Sequence, residues 1–158
     1  MRSAKLGLVV LAVAAFTLVT SPARAQSSNR FSSRTCEEST DIVINSCTGE
    51  AILVQAETCT SLVIIQDQGG GFHLQIHQET HGTGVGLTSG NEYVIDDVAN
   101  QELNTNSLQL EEDVVEDSLL ISRGSAPNEI VRLTTHFTVN ANGEITVFRT
   151  SFEIECKG

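Results

Sequence analysis

Four histidines are the residues whose type and spacing come nearest to a reactive site: His73, His77, His81 and His136. Glu79 stands between His77 and His81. Neutral imidazoles with a carboxylate are a common ligand set for zinc and related cations. A spacing of four would stack His73 and His77 on one face of a helix. The surrounding stretch, Phe72-His-Leu-Gln-Ile-His-Gln-Glu79, alternates apolar and polar residues instead, the period of a half-buried strand. On a strand, residues four apart are separated by about 13 Å, too far for two imidazoles to share one ion. His77, Glu79 and His81 can meet a metal only if the chain bends at the glycines that follow. His136 also points outward, and would join them if its strand lay beside theirs.

Other constellations are weaker. Gly82-Thr-Gly-Val-Gly86 has alternating glycines, but no lysine follows and no helix begins there, so it is not a phosphate-binding loop. Such glycines suit a bulge or tight bend in a sheet. Leu87-Thr-Ser-Gly90 has Thr88 where a nucleophile elbow requires serine. The acidic run Glu111–Asp117 could offer carboxylates to calcium, but lacks the spaced ligands and central glycine of a calcium-binding loop. Like charges there have an ordinary use, keeping strands from pairing with other molecules. No catalytic set emerges, and no cofactor is expected.

The elements that must position these residues are strands. Short β-branched or alternating runs recur at 41–45, 51–56, 61–66, 72–79, 93–95, 107–110, 117–122, 131–139 and 145–156. Asp67-Gln-Gly-Gly-Gly71 and Asn140-Ala-Asn-Gly143 are turn sequences, rich in residues that accept positive φ. Downstream of the first segment no window holds apolar residues at helical spacing for three turns. The expected architecture is all-β: one antiparallel meander of eight to nine strands, closing into a barrel rather than a two-layer sandwich because every connection is short.

The chain starts with a different pattern. Arg2 and Lys5 precede an almost continuous apolar run from Leu6 to Val19, and Ala23-Arg24-Ala25 follows. This is the form of a secretory signal peptide, too short in its apolar part for a membrane anchor. It would be the chain's one helix. Cleavage between Ala25 and Gln26 removes three of nine basic and none of twenty acidic residues. Six against twenty remain, a net charge of −14. Such a surface repels nucleic acid and anionic lipid, so neither nucleic-acid binding nor membrane insertion after cleavage is expected. Residues 26–35 read as a flexible leader and 36–158 as a single domain.

Cys36, Cys47, Cys59 and Cys156 all survive cleavage. An even number in a small exported domain indicates two disulfides. Of the three connectivities possible, Cys47–Cys156 with Cys36–Cys59 is favoured, since it ties the first strand region to the last.

The segments Cys47-Thr-Gly-Glu50, Gly71-Phe-His-Leu-Gln-Ile-His77, Gly84-Val-Gly-Leu-Thr-Ser-Gly90 with Tyr93, and His136-Phe-Thr-Val-Asn-Ala-Asn-Gly-Glu144 with Cys156 resemble a group of uncharacterised secreted bacterial proteins. The resemblance covers most of the mature chain. It implies a bacterial exported β-domain, with no activity attached. In that group the cysteines matching Cys47 and Cys156 recur as a pair, which supports the connectivity above. The expectation is therefore a secreted, extracellular or periplasmic domain without catalysis, binding a small molecule or a partner in the cell envelope. The alternative is a metal-dependent or barrel-type enzyme using the strand histidines.

Overall fold

The computed structural model describes residues 29–106 and 109–158. The expected signal peptide and its cleavage site at Ala25–Gln26 lie outside the described residues. Seven strands form one antiparallel sheet in strict chain order: β1 (Asn29–Ile44), β2 (Ala51–Gln66), β3 (Phe72–Gly86), β4 (Glu92–Asn106), β5 (Gln109–Ser122), β6 (Asn128–Val139) and β7 (Ile145–Lys157). Among the described residues there is no helix.

The meander is as expected, but the strands are fewer and longer than the sequence suggests. β2 runs 16 residues, about 50 Å at strand rise. It carries through the polar stretch Glu57–Thr60, which reads as a break between two short strands. β1 likewise begins at Asn29, so residues 29–35, expected as a leader, are its first half. There Phe31 pairs with Ile64 and Ser33 with Leu62 of β2. The long β2 is the template that orders them.

The expected barrel does not form. β1 and β7 remain the two edges of an open sheet. The sheet nevertheless curls strongly at one end, and glycine is the reason. Ile52, Val54 and Ala56 of β2 pair with Gly86, Gly84 and Gly82 of β3, while Gly84 and Gly82 pair with Tyr93 and Ile95 of β4. With no side chains on that face of β3, the residues on either side lean over it and meet. A Cβ on Gly84 would lie 2.6 Å from Ile52 Cγ2, and one on Gly82 2.5 Å from the Gln55 carbonyl oxygen. The glycines stay in regular register with no bulge; among the described residues the one register shift in the sheet is at Thr138/Val139. The core is this small cluster, Ile52, Val54, Ala56, Tyr93, Ile95 and Leu120, with Ala126 packed against it.

Side chains fasten the curled end. Glu50 reaches from the β1–β2 turn over Gly86 and accepts hydrogen bonds from the backbone N–H groups of Thr88 (3.0 Å) and Ser89 (2.6 Å), and from Ser89 Oγ (2.9 Å). Tyr93 Oη donates to the same carboxylate at 3.5 Å. Asn45, fully buried, accepts from the N–H groups of Cys47 and Thr48 and shapes the turn. The turn then docks on the far side of the sheet. Ser46 N–H donates to Glu129 of β6, and Cys47 bonds to Cys156 of β7. The second disulfide, Cys36–Cys59, joins residues directly opposite each other on β1 and β2. Two such bonds fit an oxidising, extracellular or periplasmic environment.

Candidate functional site

The curl and its clasp enclose a cleft of about 250 Å³ on the concave face. Its apolar floor comes from Val54, Ala56, Ile95 and Leu120. Its rim is polar, with Asp41, Thr58, Asp97, Ser118 and Glu129 among the lining residues. The rim side chains are held in place. Asp97 accepts from Ser118 Oγ at 2.7 Å and from Leu119 N–H at 3.2 Å, and the Thr58 and Thr80 hydroxyls meet at 2.9 Å. Three carboxylates around an apolar floor make a negative pocket. Its chemistry suits a small molecule with an apolar body and a cationic or hydroxyl group.

The opposite, convex face carries all four histidines. On β3, His73, His77, Glu79 and His81 alternate with Leu74, Ile76 and Gln78, and each histidine meets a polar partner of its own. His73 Nδ1 is 2.6 Å from Asn104 Oδ1, and its Nε2 is 3.7 Å from Asp67. His77 Nδ1 is 2.7 Å from Asn100 Oδ1 and its Nε2 is 3.3 Å from Glu79, which also pairs with Arg34 at 3.1 Å. The Asn100 contact, then Glu79, hold the His77 pKa above its ordinary value of 6.5. His77, then Arg34, hold Glu79 below the usual carboxylate range. His81 Nδ1 is 3.2 Å from Asp96.

His136 does not join the β3 histidines, because β4 and β5 lie between their strands, a separation of about 14 Å. It pairs instead with Asp113, Nδ1 to Oδ1 at 2.6 Å. The chain also does not fold back after His81: β3 continues through its glycines to Gly86 in unbroken register with β2. Among the described residues, two groups of three bring possible metal-ligating atoms within 4.8 Å: Cys36–Glu57–Cys59 and Glu111–Asp113–His136. The first is spent in a disulfide. The second combines one candidate histidine with two carboxylates from the acidic run, a combination that only the β5–β6 register makes visible.

The segments behind the family resemblance also find their places. Glu50 of Cys-Thr-Gly-Glu sits in the turn made by Gly86–Gly90, beside Tyr93, and Cys47 binds Cys156. Asn140 and Glu144 close the β6–β7 turn through Asn140 Nδ2 and Glu144 Oε2 at 3.0 Å, with Gly143 at φ 80°. These residues fasten the fold. No protein-family model, curated protein or solved structure matches the chain.

Proposed function

We propose that the mature chain is an exported, non-catalytic binding domain whose working site is the concave cleft, and that it takes a small amphiphile bearing an amine or hydroxyl head. The observation that carries this is the cleft itself, an apolar floor beneath a rim containing Asp41, Asp97 and Glu129. Asp97 is tied to Ser118 and the Leu119 N–H, and Glu129 to Ser46, in the manner of a preorganised binding surface. Its modest size calls for a small ligand.

Calorimetric titration with n-octylamine, n-octanol and octanoate tests the reading. Saturable binding is expected in the order amine, alcohol, carboxylate, and Asp41→Asn/Asp97→Asn should erase the preference for the amine. Equal or absent binding of all three would overturn it.

A second reading rests on Glu111, Asp113 and His136, whose ligand atoms gather within 4.8 Å. Two carboxylates and an imidazole match the donor preferences of zinc or manganese. Arg149 stands opposite His136 in the sheet register, and its charge opposes a cation, which places this reading second. Zinc binding by the mature protein, abolished in His136→Ala, would favour it.

A further inference from the structure

The last strand is an unpaired edge among the described residues, and it is unusually apolar for one. Phe148, Phe152 and Ile154 point to the concave face, 63 %, 62 % and 44 % exposed. Their β6 neighbours in register are Phe137, Leu133 and Val131. Edge strands normally discourage pairing with outward charges. The charges of β7 are arranged differently. All four lie on the convex face: Glu155 and Lys157 pair with each other at 3.0 Å, and Arg149 and Glu153 stand two residues either side of Ser151.

That spacing makes β7 complementary to itself. If a second β7 runs antiparallel about a two-fold axis through Ser151, Arg149 lies opposite the second copy's Glu153, and the reverse pair forms on the other side of the axis. On the concave face, Phe148 falls opposite Ile154 and Thr150 opposite Phe152. Each Phe152 then lies diagonally from both Phe148 and Phe152 of the second copy, close to the axis. A pairing centred on residue 149 or 153 would instead set like charges against each other.

The intrachain register extends the match. Asp113 and His136 meet at 2.6 Å and His136 lies opposite Arg149; Glu153 lies opposite Arg132, which pairs with Asp117 at 2.6 Å. Across the interface the convex row becomes Asp113, His136, Arg149, then Glu153, Arg132 and Asp117 of the second copy. At the seam Arg149 and Glu153 each face an opposite charge, while Glu155 falls opposite Val147 of the second copy and keeps its own pair with Lys157 at 3.0 Å.

We infer that β7 is a dimerisation edge: two copies of this chain join antiparallel through residues 147–155 into one continuous fourteen-stranded sheet with a shared concave face. The contact is isologous and closes on itself, so it stops at two.

The test is analytical ultracentrifugation of the mature, disulfide-bonded protein and its charge variants. The wild type is expected to be dimeric at micromolar concentration. Arg149→Glu alone and Glu153→Arg alone should each weaken self-association at least tenfold. An equimolar mixture of those two variants should recover a heterodimer, because each supplies the charges the other needs, and Arg149→Glu/Glu153→Arg should restore the homodimer. Circular dichroism of each variant establishes that it is folded, and Phe152→Lys supplies an independent disruption. A monomer at 100 µM, or a dimer indifferent to all three disruptions, overturns the inference. So does failure of the mixed variants to pair.

Discussion

Replacing Gly84 with alanine tests the account of the curl, because the sign of the effect depends on it. Gly84 has ordinary extended backbone, so alanine is conformationally allowed there. On chain entropy alone it would stabilise the fold by about 0.4–1 kcal/mol. Against this, the added Cβ meets Ile52 Cγ2 at 2.6 Å and Ile95 Cδ1 at 3.3 Å. The nearer contact falls about 1 Å short of a comfortable carbon–carbon separation. Ile52 is fully buried, with no open side into which to retreat, and overpacking of this kind costs about 1–3 kcal/mol. Crowding wins, and a net loss of about 1–2 kcal/mol is expected. Urea unfolding followed by far-ultraviolet circular dichroism and by the fluorescence of Tyr93, the only tyrosine in a chain without tryptophan, measures it. Ile52→Ala removes the atom that is struck. The double variant should therefore be more stable than the sum of the two single effects by at least about 1 kcal/mol. A neutral or stabilised Gly84→Ala, with strict additivity to Ile52→Ala, would refute the claim that the missing side chain is what lets β2 and β4 meet.

The two disulfides should differ in worth. Cys47–Cys156 closes a sequence separation of 109 and Cys36–Cys59 one of 23, so loop entropy assigns about 4.8 and about 3.4 kcal/mol to them; urea midpoints of the paired serine variants should rank accordingly. Stability against pH should peak in mildly acidic solution. Glu50 and Glu79 have lowered pKa values, so their contribution is present above about 4.5 and lost as pH falls through the folded values; His77 is raised, so its contribution is present below about 6.5 and lost as pH rises. Melting temperatures from pH 3 to 9 would show this, and His77→Gln should flatten the upper limb. Tyr93 is held above its ordinary value of 10, first by burial and then by the charge of Glu50. Its phenol should ionise late in an absorbance titration at 295 nm, and Glu50→Gln should bring the midpoint down.

The sequence announced the faces of strands better than their lengths. Alternation in Phe72–Glu79 placed His73, His77 and Glu79 opposite Leu74 and Ile76, because each side chain on a strand goes to one side or the other. Turn chemistry marked Asp67–Gly71 and Asn140–Gly143, where Gly70 and Gly143 do take positive φ. Length was hidden because the strand centres are polar on both sides. Glu57–Thr60 is polar yet paired, and in Glu111–Asp117 only the adjacent Val114 and Val115 interrupt the acidic residues, so neither stretch carries the alternation of a continuing strand. Short connections argued for a barrel, but closure depends on how far the sheet curls, which is set by contacts between β2 and β4 across Gly82, Gly84 and Gly86. The same holds for the Glu111–Asp113–His136 group: its members are 23 to 25 positions apart or neighbours on one strand, and only the β5–β6 register brings the histidine to the carboxylates.

The clasp also imposes an order in time. A chain that becomes available from its N-terminal side exposes Cys36, Cys47 and Cys59 long before Cys156. For that interval Cys47 is a thiol flanked by two nearer candidates, and the shorter loops to Cys36 or Cys59 close more readily than the long one. The β1–β2 hairpin resolves the competition by register: it sets Cys36 directly against Cys59 and holds Cys47 out in the turn. With Cys36 and Cys59 joined, Cys47 has no nearer competitor for Cys156, and because Cys156 lies on β7 the clasp needs the last strand in place.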